Sequence, residues 1–215
     1  DELGRVRVQF HWDRVGKNDE KSSCWLRVAS IAAGPRFGFV SIPRIGQEVV
    51  VSFLEGDPDR PMITGVVYNG LSKPPWEVPA KKNISGFLTP STKGGAANQA
   101  NELHFDDTKG SEKLRIHAQH DYEMRTENNL IDWIGGKSEH FVKLDHLEKV
   151  EGKRNRTVVS DELIKVDGAR SEEIKGDEAR KVGGGHHLEV TGDDRRKVGG
   201  GFSLIGPPTG SSVAV

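Results

Sequence analysis

His186 and His187 stand side by side between a run of three glycines and Leu188. Imidazole is the commonest side-chain ligand for divalent transition metals, and three copies of a chain around one axis would gather three. Adjacent residues of an extended chain face opposite ways, so one of the two can approach such a centre. No thiol or carboxylate partner is placed at ligand spacing, which leaves His186 and His187 as weak metal candidates and no cofactor expected. His104, His117 and His120 are scattered without ligand spacing. The acid doublets Asp106-Asp107 and Asp193-Asp194 have the residue type for general acid–base work. Both lie in polar, turn-like stretches with nothing to form a pocket, so solvated turns are expected. The stretches "GGAAN", "VGGGH" and "VGGGF" lack the strand, the helix and the Gly-Lys-Ser/Thr ending that a phosphate cradle needs. Cys24, the single cysteine, excludes an intrachain disulfide and is expected as a small buried hydrophobe. These residues point to no catalytic activity.

The elements that position them belong to a chain of 215 residues with net charge -1. Charges so nearly balanced give no electrostatic case for nucleic acid or an anionic membrane. No apolar stretch approaches the ~18 residues of a membrane-spanning helix. The start "DELGRVRVQF" has no initiator Met and reads as an excised piece. Residues 1–70 are written as short strands. "RVRVQF" alternates Val6, Val8 and Phe10 against polar neighbours, a period of two. "CWLRVA", "FGFVSI", "EVVVSF" and "MITGVVY" follow, separated by Gly34-Pro35, Pro43, Gly46 and the run "EGDPDRP". Five short strands in so few residues suit an OB-fold barrel. Such a barrel invites nucleic-acid or glycan binding through exposed aromatics over a basic groove. Trp12, Trp25, Phe37, Phe39, Phe53 and Tyr68 mostly sit in alternating strands, so core packing is expected instead, with the arginines on neighbouring subunits or water. Residues 71–100 read as a Pro/Gly-rich linker and neck. Residues 101–133 read as the irregular start of a second element, with two strands around a turn at 108–111.

From there the chain repeats. Ile134, Val142, Val150, Val158, Val166, Ile174, Val182, Val190 and Val198 are spaced by eight. Two places after most of them stand Gly136, Gly152, Gly168, Gly176, Gly184, Gly192 and Gly200, with Leu144 and Ser160 filling the other two places. On an α-helix eight residues turn about 800°, so successive valines would drift by ~80° and share no face. On a strand the side-chain period is two and eight is even, so every valine returns to one face. Glycine supplies a φ > 0 or a close backbone approach at a sharp corner. The unit is therefore a strand plus a corner. One chain would need about three units per coil, and nine units would make a stub with two open ends. Three interleaved chains solve this. Each octad then advances one inter-strand spacing, and residues 134–201 build a needle of roughly 43 Å. The aliphatic column faces the axis, the glycines turn the corners, and the Lys, Arg, Glu and Asp residues face water. The fold class expected is all-β: a five-stranded OB-fold barrel followed by an intertwined triple-stranded β-helix in a homotrimer.

"RVRVQFHWDR", "WLRVA", "IPRIGQEVVVSFLEGDPDRPMITGVVYN" and "NELHFDDTKGSEKLRIHAQHD", together with the Val-x-Gly octads, resemble the VgrG family of type VI secretion spikes. They are more distantly similar to the central spike of contractile phage tails. The resemblance covers nearly the whole chain. It implies a homotrimeric, non-enzymatic spike that a contracting sheath drives through a target cell envelope, with transient membrane contact. It implies a tip-capping PAAR-repeat protein, effector proteins as cargo, and secretion tube rings joined through an N-terminal base domain that this sequence lacks. Residence in the bacterial cytoplasm before firing, then secretion or injection, follows from the same resemblance. No nucleic acid is expected as a partner. Two readings stand beside it: a phage tail spike, and an OB-fold module that binds nucleic acid or glycan on a β-helical stalk. The chain departs from the family in carrying no lysozyme or effector domain. At Phe202 to Val215 it abandons the octad, which reads as a tip, a truncation or an appended tail, with Phe202, Leu204 and Ile205 as a plug.

Overall fold

The computed structural model describes residues 1–95 and 98–201. The chain divides into two compact units, Asp1–Gly136 and Lys137–Val215. The closing segment 202–215, including the expected plug, lies outside the described residues. No α-helix occurs among the described residues.

In the first unit β1 (Arg27–Val28), β2 (Ala33–Gly34), β3 (Phe37–Gly38), β4 (Glu48–Phe53) and β5 (Pro61–Val67) come from the barrel segment. β4 and β5 pair antiparallel, and β1 adds to β5 in parallel. β-branched Val49, Val50 and Val51 suit the pleated surface of β4. The register slips between Val50, opposite Gly65, and Val51, opposite Ile63. That leaves Thr64 as the extra residue of a bulge. β2 and β3 close a hairpin over Pro35 and Arg36, where proline presets φ and Arg36 takes φ 64°. The core is small. Leu26 and Ile63 are fully buried, and Val6 bridges Leu26 across the sheet.

The expected strands at 48–53 and 62–68 form nearly in full, whereas 24–29 and 37–42 shrink to two-residue ladders and 5–10 to the single Val6 bridge. The aromatics expected inside depart further. Trp12, Phe37 and Tyr68 are mostly exposed, because these short ladders leave no second layer above them in one chain. Cys24, expected buried, is exposed as well.

β6 (Ile84–Pro90), β7 (Ala100–Asp106) and β8 (Lys113–His117) form an antiparallel meander. β7, β8 and their turn fall where the sequence put them. β6 does not: it lies inside the stretch read as linker and neck. Its alternation is carried by Ile84 and Leu88, both half-buried, with Gly86 between them. That glycine breaks the hydrophobic pattern that would announce a strand.

Beyond β8 the chain is extended and bends every eight residues, at 119–120, 127–128, 135–136 and on to 199–200. The bends thus begin two repeats before Ile134, inside the stretch expected to be irregular. Ala118 and Thr126 hold the aliphatic place in those two repeats, and His120 and Asn128 the glycine place, which hides the period. No backbone ladder joins any part of 120–201 to another among the described residues. A backbone N–H or C=O that is buried without a partner is costly, so extended chain of this length calls for neighbours.

Candidate assembly surface

The repeat has a two-sided backbone, and away from the corners, where even-numbered Leu144 is 91% exposed, the exposure of its apolar side chains follows residue parity. The aliphatic column Ile134, Val142, Val150, Val158, Val166, Ile174, Val182, Val190 and Val198 is 43–56% exposed. The odd-numbered Ile131, Trp133, Phe141, Leu147, Val159 and Leu163 are 84–98% exposed. Val158 and Val159 are neighbours of one residue type and stand at opposite ends of this range. Period-two geometry is the cause: alternate side chains share a face.

The same parity sorts the charges. Lys149, Glu151, Lys165 and Asp167 are odd-numbered and point outward. Glu148, Glu162 and Asp194 are even-numbered, share the face of the valines and are only 37–46% exposed. Two of the three have a partner six residues away across a bend: Glu148 with Arg154 at 3.2 Å, and Glu162 with Arg156 at 2.7 Å. The rule behind the spacing is local. One residue lies two places before the aliphatic column, its partner four places after it, and the corner folds them together.

Gly152, Gly168, Gly176, Gly184, Gly192 and Gly200, with Gly136 at the end of the first unit, sit at the bends. None takes a left-handed φ, and a Cβ on any of them would meet nothing within 4 Å in this chain. The φ > 0 explanation for their presence is therefore set aside; the bends at 143–144 and 159–160 form with Leu144 and Ser160 in that place.

His187 is odd-numbered and points out, 3.9 Å from Glu189, while His186 takes the inner parity. Among the described residues no three His, Cys, Asp or Glu side chains gather as a metal site. The six-residue rule also joins His140 and His146, whose ring centroids lie 5.3 Å apart. Sequence reasoning passed over this pair, although its spacing across the 143–144 bend is the available signal. Asp193 and Asp194 pair with Arg195 and Arg196. Asp106 accepts hydrogen bonds from the Thr108 N–H and hydroxyl, capping the β7–β8 turn.

The first unit holds one embedded polar cluster. Ala100, Glu102, His104 and Asp106 share the covered face of β7. Glu102 accepts from His104 Nδ1 at 2.7 Å and from Arg115 Nε of β8 at 3.0 Å. Trp76, from the connector, meets the His104 ring edge-on at 5.7 Å and hydrogen-bonds the same carboxylate. Burial pushes the Glu102 carboxyl up. The His104 hydrogen bond and charge, the Arg115 charge and the Trp76 hydrogen bond outweigh it and hold the group below the usual glutamate range. A depressed carboxyl contributes stability above its ordinary pKa and loses it as pH falls through the folded value. Glu102→Gln is expected to lower stability by about 1–3 kcal/mol at neutral pH, the scale of charged hydrogen bonds. The gap from wild type should close as pH drops below the glutamate range, as read by thermal unfolding at several pH values. A gap that stays constant down to pH values where carboxylates protonate would contradict this account.

The opposite face of that sheet is inverted relative to an ordinary domain. Phe87, Leu103, Phe105, Leu114 and Ile116 point to solvent from β6, β7 and β8. Several arginines of the barrel segment are engaged within the unit. Arg5 pairs with Asp1 at 2.6 Å, Arg7 lies over the Trp25 ring at 4.3 Å, and Arg44 donates to the Pro90 carbonyl at 2.6 Å.

A family model described as the bacteriophage T4 gp5 C-terminal trimerisation domain matches residues 85–198. Another, the type VI secretion system/phage-baseplate injector OB domain, matches residues 1–68. The type VI secretion system spike proteins VgrG1c and VgrG1b of Pseudomonas aeruginosa are each 51% identical over 135 residues. That is 63% of this chain, and 19% and 18% of those proteins respectively. The actin cross-linking toxin VgrG1 of Vibrio cholerae is 45% identical over 129 residues, 60% of this chain and 12% of that protein. The aligned part of this chain spans less than a fifth of the length of these three relatives.

Proposed function

The chain belongs to the family of the bacteriophage T4 gp5 C-terminal trimerisation domain, and on that premise we propose that it is the barrel and needle of a homotrimeric type VI secretion spike. One observation carries the reading. Some eighty residues of extended backbone lack ladder partners among the described residues, and their aliphatic column lies on one face, half-covered. A single chain exposes 21350 Å² for 23.6 kDa, against about 9,800 Å² for a monomeric protein of that mass. Completing the burial of a half-exposed Val or Ile contributes about 1 kcal/mol. Over the column that comes to on the order of 10 kcal/mol per chain. Three copies supply the missing ladders on the faces and the missing cover on the axis. The apolar side of β6–β7–β8 supports the same partner, since it is the face a second copy would cover.

The function is mechanical. Continuous ladders between chains resist compression along the axis, and interleaved chains separate by unwinding, which makes dissociation slow. The inner ion pairs neutralise each other within a chain, so they bring no net charge to the axis. The spike would puncture a target envelope, carry effector proteins, receive a PAAR-repeat protein at its tip and join the tube rings through a base domain. It would be held in the cytoplasm until firing and then injected. This part of the spike performs no catalysis of its own. Sedimentation equilibrium of the full chain is the test. A mass of three chains that persists on dilution is expected. A monomer at micromolar concentration would overturn the assembly and the function built on it.

A further inference from the structure

We propose that His140 and His146 form a chelating pair for a divalent transition cation of the zinc class, a site separate from the His186-His187 doublet. The inference goes beyond the spike reading and rests on one chain's geometry.

The corner places the two rings. His140 lies two positions before Val142 and His146 four positions after it, the relation that brings Glu148 to Arg154 and Arg156 to Glu162. Three successive corners thus give three contacting pairs, so the juxtaposition is a property of the fold and not of one rotamer. The ring centroids are 5.3 Å apart and the planes meet at 73°. Two imidazoles on one tetrahedral zinc, each about 2.0–2.1 Å from the metal, have centroids about 5 Å apart. The observed centroid spacing is close to that, so ring rotation alone would turn one nitrogen of each toward a common ion. Among the described residues neither ring is hydrogen-bonded to an acid in the way His104 is to Glu102, so both keep their nitrogens for a ligand.

The neighbouring pairs matter too. Glu148, two residues beyond His146 on the same face, is already engaged by Arg154. The corner therefore offers two neutral nitrogen donors, with water or the same pair of another copy completing the shell. Nitrogen-only ligation favours zinc, copper or nickel over calcium or magnesium. The doublet at 186–187 has no such geometry, because its two rings face opposite sides of the strand.

Calorimetric titration of the full chain with Zn²⁺, chelator-stripped beforehand, tests the proposal. Saturable binding of up to one ion per chain is expected. His140→Gln or His146→Gln alone should weaken it at least tenfold, and His186→Gln/His187→Gln should leave it unchanged. Undiminished binding in either single variant, loss in the 186/187 variant, or no saturable binding at all would overturn it. Should the Gln variants fail to fold, zinc-edge X-ray absorption on the 186/187 variant decides: two imidazoles in the metal shell are expected, and fewer than two would refute the site. Sedimentation of the same samples keeps the readings apart, since a monomer that still binds zinc at His140 and His146 would sink the trimer and leave this site standing.

Discussion

A chain carrying Val166→Asp with Ile174→Asp sediments as a single chain or aggregates, while Val159→Asp sediments as the wild type does. The contrast comes from parity. Val166 and Ile174 lie in the half-covered column, whereas Val159 is 98% exposed on the other face. An even-numbered charge survives on the inner side when a partner stands across the corner, as Arg154 does for Glu148. Aspartate at 166 has Ile164 before it and Gly168 after it on the same face, and Arg170, four places on, is already bonded to Glu172. Aspartate at 174 has Gly176 after it and Glu172 before it, which adds repulsion; Arg170 is already bonded to that glutamate at 2.9 Å. Burying an uncompensated ion costs several kcal/mol, and a trimer would bury six. Even a total of about 4 kcal/mol lowers an association constant about a thousandfold. An intact assembly in the double variant, or a broken one in Val159→Asp, would show the column assigned to the wrong side.

How far the sequence could be read depends on which residues keep the period. The column was legible because Val and Ile recur at an even spacing and glycine marks the corners. The two earlier repeats were not, because Ala118, Thr126, His120 and Asn128 fill the same places with different side chains. The geometry was intact there and the composition was not. The charges that share the column's parity were less legible for a different reason. Treating every Lys, Arg, Glu and Asp as a solvent residue ignores that parity binds a charged side chain as firmly as an aliphatic one. Once Glu148 is placed on the column's face, its partner six residues on is predictable, and so is the His140–His146 pair. In the barrel segment alternation located β4 and β5 but overstated the first strand, since a two-residue period does not show which strand finds a partner. The exposed Trp12 and Tyr68 illustrate this: an aromatic in an alternating stretch marks a face, and what covers that face can be another chain. The cluster around Glu102 had no sequence signature, because it joins β7, β8 and a tryptophan from a connector that showed no pattern.

Gly86→Ala is expected to be the most damaging single-methyl change in the first unit. Gly86 lies opposite His104 in the β6–β7 ladder with φ 153°, a conformation few L residues adopt. A Cβ there would stand 2.2 Å from the Leu103 carbonyl oxygen and 2.6 Å from the His104 Cα. Both are backbone atoms of β7, so no rotamer change relieves the clash; the strands must separate. Separation pulls on His104 and with it on the Glu102 carboxylate and the Trp76 ring that packs there. Backbone strain of this kind costs of order 1–3 kcal/mol before the clash is counted, so a loss above ~3 kcal/mol is expected. Gly65→Ala is the matched control, since its φ is not positive and a Cβ would meet nothing within 4 Å. Hydrogen exchange should show amides of Ile84–Pro90 losing protection in Gly86→Ala, with the β7–β8 hairpin less affected. The meander joins barrel to needle along the chain, so its failure should also lower the thermal midpoint of the assembly. Equal stability of the two alanine variants would mean that β6 does not approach β7 as closely as the ladder requires, and the account of the sheet would fail with it.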